Sequence, residues 1–373
     1  MKKVIIIYRF LPQYRVDFYE RLKSRLDEEG YEFQLIYGKN KNNDALKKDE
    51  VEIEWAIFVP NHLLRVGPVE ILWQPCIKYL KDADLIIVED ANKLLLNYWL
   101  IISKYFSRFK LAYWGHGRNM QLPIHDFRNK IKSFILKKTD WYFAYTNGVK
   151  KYLVENNYPD TQITVVQNAI DTKTLKHFYD NINEREINDI RDELNIYGSN
   201  VGIYCGAMYP EKRIPFILES CFRIRKSIED FHMIFIGTGI DARLIEEVAK
   251  DHKWIHYLGP RFGKDKVIFF KISSIQLMPA AVGLAVLDSF TLETALVTTE
   301  NPFHGPEIEY LTQGENGLIT KFNVVDYSNE IIRLLRGKGY VKLNKGCRAS
   351  YDKYTIGKMV ENFVDGIKSC FNH

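Results

Sequence analysis

Residues 278–318 read MPAAVGLAVLDSFTLETALVTTENPFHGPEIEYLTQGENGL, and this stretch decides the fold. A proline and small residues at 279–283 follow an apolar run, and a helix-like segment begins at Leu284. A strand end, a glycine turn and a helix N-terminus in this order bring backbone N–H groups to one point, where an anion such as phosphate binds. Two acidic side chains, Asp288 and Glu307, are candidates to meet sugar or ribose hydroxyls. The same unit is common in every α/β protein, so alone it leaves the function open.

Short apolar runs alternate with helix-length segments on either side of this stretch. A highly charged segment at 171–199 separates two such series. The alternation predicts an α/β chain of two Rossmann-like domains, each with a doubly wound parallel sheet, that face each other across a cleft. We expect the first domain at residues 1–175, the second at 176–352, and a helix at 353–373 that packs back toward the first domain.

The composition of the 373 residues excludes several functions. Five scattered cysteines without a CxxC pair argue against a metal or disulfide framework. The net charge of +5 is mildly basic, but no zinc finger, RNP motif or arginine-rich run favours nucleic acid. No apolar run reaches the roughly 18 residues that cross a bilayer, and the first apolar run is too short for a signal peptide. We therefore expect a cytoplasmic protein.

A basic amphipathic segment lies at residues 126–138, DFRNKIKSFILKK. Its apolar residues recur at helical spacing, and arginine and lysines fill much of the remainder. Such a helix docks on anionic lipid, so an anionic membrane surface, at the inner face of the membrane, is an expected partner. The alternative is a helix with its apolar stripe on the core and its lysines in water.

Two further motifs follow predicted strands. In CGAMYPEKR, residues 205–213, the adjacent cations Lys212 and Arg213 oppose the dipole at a helix start unless an anion is present. A diphosphate would supply that anion; the alternative is a solvated pair in a loop. In WGHGRN, residues 114–119, the glycines beside His116 clear space for its imidazole to stand exposed above the sheet edge. A lone histidine is more often structural.

The segment GTGIDA, residues 237–242, fits the dinucleotide-binding pattern G-x-G-x-x-A after a strand. An acidic residue is expected about 20 residues further on, to bind the ribose. Residues 254–257 read WIHY and contain no acid. The motif therefore does not favour a nicotinamide or flavin enzyme.

Taken together, these motifs resemble the GT-B glycosyltransferases of family 4, the retaining glycosyl transferases group 1. In the second half the resemblance covers GAMYPEKR, IFIGTG, YLGPRF, the loop and helix from Pro279, and HGPEIEYLTQGENGLI. In the first half it covers VVQNAID, and WGHG recurs in polysaccharide-assembly members. The resemblance implies two Rossmann-like domains and transfer of a sugar from a UDP- or GDP-linked donor, without a metal or other cofactor.

The chain departs from the family at two positions. The family carries two glutamates with seven residues between them, and here these positions are Ala280 and Asp288. Asp288 can still take the ribose hydroxyls, whereas Ala280 cannot contact the donor sugar. The arginine that binds the diphosphate in the family falls on Ala207, which leaves Lys212 and Arg213.

The resemblance also implies a set of site residues. His116, Lys212 and Glu307 are the catalytic candidates. The acceptor or phosphate side is assigned to Arg9, Arg15 and Arg118. The donor site is assigned to Gly206, Lys212, Arg213, Gly237, Val282, Gly283, Leu284 and Asp288.

The expected reaction is retaining transfer to a glycan or lipid-linked acceptor in polysaccharide or glycoconjugate synthesis. Two alternatives stay open. The losses at Ala207 and Ala280 are compatible with a non-catalytic nucleotide-sugar-binding or scaffold relative. A nucleotide-sugar epimerase would use the same architecture.

Overall fold

The computed structural model describes residues 1–39, 51–67, 69–117, 132 and 134–373. It divides into two compact units: unit 1 comprises Met1–Asp171 and Ile356–His373, and unit 2 comprises Thr172–Thr355. The sequence places these divisions at 175/176 and 352/353, a few residues away. The last helix is thus part of unit 1, although it is separated from the rest of that unit by the whole of unit 2.

Unit 1 is built on a parallel sheet. Its strands are β1 (Lys2–Tyr8), β2 (Tyr31–Tyr37), β3 (Ile57–Phe58), a hairpin of β4 (His62–Val66) and β5 (Val69–Trp73), then β6 (Leu85–Glu89), β7 (Lys110–Gly115), β8 (Trp141–Ala144) and β9 (Ile163–Val165). Seven of them form the sheet, in the order β3-β2-β1-β6-β7-β8-β9. The aliphatic residues of β1, from Val4 to Ile7, and of β6, from Leu85 to Val88, are buried because helices cover both faces of a parallel sheet.

The helices of the two units are numbered together. They are α1 (Val16–Glu28), α2 (Leu95–Ser103), α3 (Asn147–Glu155), α4 (Lys173–Asn181), α5 (Glu184–Glu193), α6 (Ile214–Ser227), α7 (Ala242–Asp251), α8 (Gly263–Lys271), α9 (Ala285–Thr291), α10 (Val324–Arg336), α11 (Tyr340–Tyr351) and α12 (Ile356–Asn372). Residues 134–136 are also helical.

The last helix, α12, closes one face of unit 1 with aromatic contacts. The Phe363 ring stacks on Phe143 of β8 at 4.4 Å between centroids, and it meets the edge of Trp114 of β7 at 5.0 Å. Salt bridges from Arg25 to Glu361 and from Lys368 to Glu29 join its outer surface to α1. The free energy of this packing comes mainly from the buried rings, since exposed ion pairs contribute little.

Arg15 is a fully buried cation in this unit. It is only 1% exposed, and its guanidinium lies 5.0 Å from the centre of the Trp114 ring. It donates hydrogen bonds to the side chain of Asn168 and to the carbonyl oxygen of Ala169, at 3.4 Å. Assignment of Arg15 to a phosphate or acceptor is therefore wrong for this structure, because all these contacts lie inside unit 1 and the side chain has no access to solvent.

Unit 2 is built on a second parallel sheet. Its strands are β10 (Val201–Cys205), β11 (His232–Ile236), β12 (Ile255–Tyr257), β13 (Ile275–Leu277), β14 (Leu296–Thr299) and β15 (Gly317–Thr320). Their order is β12-β11-β10-β13-β14-β15. The winding direction reverses between β10 and β13, as it does between β1 and β6 in unit 1. Ligands bind at the carboxyl ends of the strands at such a switch point.

The glycines of GTGIDA have a packing role. A Cβ atom on Gly237, whose φ is +133°, would lie 1.9 Å from the carbonyl oxygen of Gly206. A Cβ on Gly239 would lie 2.3 Å from the carbonyl oxygen of Met208. The loop after β10 therefore rests directly on the loop after β11, and this contact explains a motif that otherwise indicates a dinucleotide.

We expect Arg15→Met to destabilise unit 1 by about 3 kcal/mol, because it leaves Asn168 and the Ala169 carbonyl without their buried donor. Urea unfolding followed by tryptophan fluorescence measures this, since all tryptophans except Trp254 lie in unit 1. Arg21→Met, at a partly exposed arginine on α1, is the control and should change little. Unchanged stability of Arg15→Met would contradict the structural role.

Candidate functional site

The switch point of unit 2 is formed by the loops that follow β10 and β13. The ammonium group of Lys212, in the first loop, donates a hydrogen bond to the carbonyl oxygen of Ala281 in the second. Lys212 is half-buried, whereas its neighbour Arg213 is exposed. Arg213 precedes α6 in a left-handed conformation, φ +57°. The contact places one half-buried cation directly beside the loop that the sequence assigns to the anion.

His304 organises the same loop from the other side. The N–H of Val282 donates to its Nδ1 at 3.0 Å, and its Nε2–H donates to the carbonyl oxygen of Thr299 at 2.8 Å. Burial, together with the charge of Lys212, lowers the pKa of His304, so the ring is neutral at pH 7. The Val282 amide is therefore occupied by His304, and its assignment to the diphosphate is wrong for this structure.

The two amides that follow Val282 in this loop are not occupied in the same way. Those of Gly283 and Leu284 have no hydrogen-bond partner within the described part of the chain. The following helix, α9, has only seven residues and begins at Ala285. Its dipole is therefore weak, and an anion at this point would depend on the two amides and on Lys212.

Glu307 lies buried between Gly283 of this loop and Gly305 of the loop after β14. Its Oε2 is 2.7 Å from the position that a Cβ on Gly305 would take, and 3.8 Å from that on Gly283. Larger residues at Gly305 would displace the carboxylate. The structure thus brings Glu307 to the loop of Gly283, as the sequence predicts.

The two carboxylate oxygens of Asp288 differ in their hydrogen bonding. Its Oδ2 accepts a hydrogen bond from the ammonium of Lys266, on α8, at 3.0 Å. Its Oδ1 is buried and has no hydrogen-bond partner within the described residues. Burial disfavours the charge on Lys266, but the adjacent carboxylate outweighs it and raises the pKa of that ammonium. Asp288 therefore has one carboxylate oxygen paired with Lys266 and the other without a partner in the described residues.

Lys266 is a residue that the sequence argument did not identify. Its partner is 22 positions further along the chain, so no local pattern indicates the pair. Gly206 and Gly237, in contrast, were assigned to the donor. The structure gives them a packing role against each other, and the Gly206 amide donates to the Ile236 carbonyl at 3.0 Å.

Unit 1 brings charged groups together at its own switch point. Arg9, after β1, forms an ion pair of 3.1 Å with Glu89 at the end of β6. Burial raises the pKa of Glu89, and Arg9 opposes that shift. The Oε2 of Glu89 is buried without a hydrogen-bond partner in the described residues. Arg9 thus lies at the edge predicted for it, with an acid that the sequence argument missed.

A buried ion pair supports the turn that holds His116. Asp90 accepts from Lys132 at 3.0 Å, from the Tyr142 hydroxyl at 2.6 Å and from the Gly117 N–H at 3.1 Å. A Cβ on Gly115 would lie 2.8 Å from the Cβ of Asp90. The glycines of WGHG therefore let the turn close onto Asp90. The lysine expected in water or on lipid at position 132 is a buried partner of this carboxylate.

His116 is half-buried and does not stand exposed above the sheet edge. Its ring lies 4.4 Å from that of Tyr145, and its Nδ1 is buried without a hydrogen-bond partner in the described residues. Burial and the charge of Lys132 lower its pKa to about 4. The imidazole is therefore neutral at pH 7 and holds one unused nitrogen. Arg118, predicted nearby, lies outside the described residues.

The described residues lack both a cluster of metal ligands and a membrane-spanning helix. They contain no group of three or more histidine, cysteine, aspartate or glutamate side chains arranged to hold a metal ion. In the same parts of the chain no helix is long and apolar enough to cross a membrane.

Comparisons with known proteins agree with this architecture. The family model described as Glycosyltransferase Family 4 matches residues 18–174, and the model described as Glycosyl transferases group 1 matches residues 199–337. Together the two matches take in most of both units.

Individual relatives are distant. The chain is 22% identical over 275 residues to the uncharacterized glycosyltransferase MJ1069 of Methanocaldococcus jannaschii, an alignment that covers 69% of this chain. It spans 65% of that relative, a little under two thirds of its length.

Solved structures share the fold. Anabaena Alr3699/HepE, crystallised with UDP, has a TM-score of 0.71 at 12% identity, covering 99% of this chain and 100% of that one. A glycosyltransferase from Rickettsia africae has a TM-score of 0.70 at 13% identity, covering 99% and 98%. The chain therefore belongs to the glycosyltransferases of family 4, described also as group 1, an enzyme family of the hexosyltransferase type with the GT-B fold.

Proposed function

We propose that this chain transfers a hexosyl group from a UDP- or GDP-linked donor to a glycan or lipid-linked acceptor, with retention of configuration and without a metal. The product would be a polysaccharide or glycoconjugate, made on the cytoplasmic side of the membrane. Family membership supports the reaction class, and the UDP complex of Alr3699/HepE supports the donor class. The observation that carries the proposal is the half-paired carboxylate of Asp288.

The open oxygen of Asp288 fits a ribose hydroxyl. A buried acceptor atom without a donor destabilises the protein by about 1–3 kcal/mol, so it marks a place where a ligand supplies the donor. Lys266 fixes the orientation of the carboxylate through the other oxygen. A hydroxyl at Oδ1 would complete the carboxylate, and the ammonium of Lys266 could donate to the second hydroxyl of the same diol.

The diphosphate is assigned to Lys212. Its ammonium already lies at the Ala281 carbonyl, and the unbonded amides of Gly283 and Leu284 belong to the same loop. Cations and amides held in place before the reaction stabilise the charge that develops on a leaving diphosphate. Arg213, exposed and beside Lys212, is the second cation available to it.

The two other catalytic candidates would bind hydroxyls. A neutral His116 with an unused Nδ1 accepts one hydrogen bond, which suits a hydroxyl of the transferred sugar. Glu307, beside Gly283, is assigned to the sugar or to the diphosphate loop. In a front-face retaining reaction the leaving phosphate oxygen takes the proton of the acceptor hydroxyl, so the proposal needs no protein base.

A thermal-shift screen with UDP, GDP and their sugars tests the donor site first. A nucleotide at about 100 times its Kd raises the free energy of unfolding by about 2.7 kcal/mol. A flat response to every nucleotide would overturn the proposal in favour of a scaffold relative. Conversion of the bare nucleotide sugar to its epimer, without an acceptor, would instead show an epimerase.

We expect the nucleoside diphosphate found by that screen to bind at least about tenfold more tightly than its 2′-deoxy form, because the deoxy form leaves Asp288 or Lys266 unpaired. Asp288→Asn should remove most of this difference in calorimetric titrations. Asp265→Asn, at an exposed acid of α8, is the matched control. Equal discrimination by the wild type and Asp288→Asn would refute the ribose assignment.

Lys212→Ala should weaken binding of the nucleoside diphosphate by at least about tenfold while leaving binding of the nucleoside unchanged, because the proposal assigns the lost cation to the diphosphate and not to the nucleoside. Lys226→Ala, at an exposed lysine of α6, serves as the control. An equal loss for nucleoside and diphosphate would point to collapse of the loop, and no loss would sink the diphosphate assignment.

His116→Gln should lower kcat for donor turnover by about tenfold or more with little change in unfolding temperature. His177→Gln, at an exposed histidine, should have no effect. Because the pKa of His116 is about 4 in the folded protein, the ring stays neutral from pH 8 to pH 6. Protonation of His116 should therefore not lower the rate over that range. The neutral state of the ring would be contradicted if the wild-type rate fell with a histidine-like pKa near 6.5 and the His116→Gln rate did not.

A further inference from the structure

Unit 1 exposes a cluster of large apolar side chains away from its candidate site. Ile102 is 62% exposed, Tyr105 67%, Phe106 87% and Phe134 64%. The first three end α2 and the turn after it, and Phe134 lies in the short helical stretch at 134–136. Isolated exposed apolar residues are ordinary, but several of this size on one surface indicate an interaction site.

The cluster is continuous with a basic concavity of about 580 Å³. Tyr105 lines it together with Lys104, Lys110, Lys137 and Lys138, and Asp140 is the acidic side chain among the lining residues. The Lys104 ammonium bonds both Asp140, at 2.6 Å, and the Lys138 carbonyl oxygen, at 3.1 Å. This bridge fixes the turn after α2 against residues 137 and 138, so aromatic and basic side chains form one surface. We call it the basic aromatic face.

The chemistry of this face fits an anionic lipid surface. Aromatic rings partition into the boundary between headgroups and acyl chains, and lysines are attracted to anionic headgroups. A second copy of the chain is the weaker candidate, because a two-fold interface would set the same four lysines against each other. We propose that the basic aromatic face docks unit 1 on an anionic bilayer.

The position of the basic aromatic face determines which edge of the unit 1 sheet would face the bilayer. Lys110 begins β7 and Asp140 directly precedes β8, so the concavity lies at the amino ends of the strands. His116 follows the carboxyl end of β7. A strand of six residues separates the two edges by roughly 20 Å. Docking therefore leaves the edge of Arg9, Glu89 and His116 turned toward water. If the proposed function holds, that edge stays open to a soluble nucleotide sugar.

Vesicle sedimentation tests the proposal with the full chain. We expect binding to vesicles of phosphatidylcholine and phosphatidylglycerol in equal amounts, and little binding to phosphatidylcholine alone. The double variants Tyr105→Ser with Phe106→Ser, and Lys137→Glu with Lys138→Glu, should each weaken binding at least about tenfold. High salt should weaken binding of the wild type.

The controls place the same changes elsewhere. Tyr197→Ser with Phe262→Ser, and Lys250→Glu with Lys253→Glu, alter exposed residues of unit 2 and should bind like the wild type. Equal binding by test and control variants, or no binding of the wild type, would overturn the proposal. A dimer in light scattering that the Tyr105 and Phe106 changes dissociate, without vesicle binding, would assign the face to a second copy. Nucleotide binding is measured without vesicles, so a failure of the proposed function can be told apart from a failure of the docking proposal.

Discussion

Unit 1 depends on one buried charge, the guanidinium of Arg15. It joins the segment after β1, the turn at Asn168 and Ala169, and the ring of Trp114 beneath them. A buried cation is tolerated only where hydrogen bonds and aromatic faces replace its water. Those groups come from parts of the chain about 150 residues apart, so the charge fixes their relative positions as well as stabilising them. The edge that carries Arg9 and His116 is built on this framework.

Unit 2 is organised by polar contacts between loops. Lys212 bonds the Ala281 carbonyl, His304 accepts from the Val282 amide, and Lys266 pairs with Asp288. The first two contacts join loops, and the third joins α8 to α9, at the carboxyl edge of the sheet. They leave specific groups unbonded, above all Oδ1 of Asp288, within a backbone that is otherwise held in place. This combination of fixed partners and open atoms is what a preorganised binding site requires.

The losses at Ala207 and Ala280 have a counterpart in Lys266. Ala280 is fully buried and offers no polar atom to a sugar, whereas Lys266 adds a cation beside the remaining acid. The charge of the site is thus distributed differently from that implied by the family pattern. Binding and catalysis in this chain would rest on Lys212, Lys266 and Asp288 acting on different parts of one donor.

Much of the architecture could be predicted because strands and helices leave local signatures. The aliphatic runs of β1 and β6, the charged segment at 171–199 and the glycine turns after strands predict two parallel sheets and the edge where a ligand binds. They also predict that Lys212, Asp288 and Glu307 lie near that edge, and the structure puts Asp288 on helix α9.

The sequence by itself determined the fold class and the alternation of strands and helices. It also predicted that the site lies at the carboxyl ends of the strands. These features follow from hydrophobic periodicity within short segments. Only the tertiary structure decided which polar atoms are used and which are open. Arg15 is buried, Lys132 pairs with Asp90, His304 occupies the Val282 amide, and Lys266 meets Asp288. Each pairing joins residues far apart in the chain. The pairing depends on which side chains come into contact after the elements pack, and a local sequence pattern does not predict such contacts.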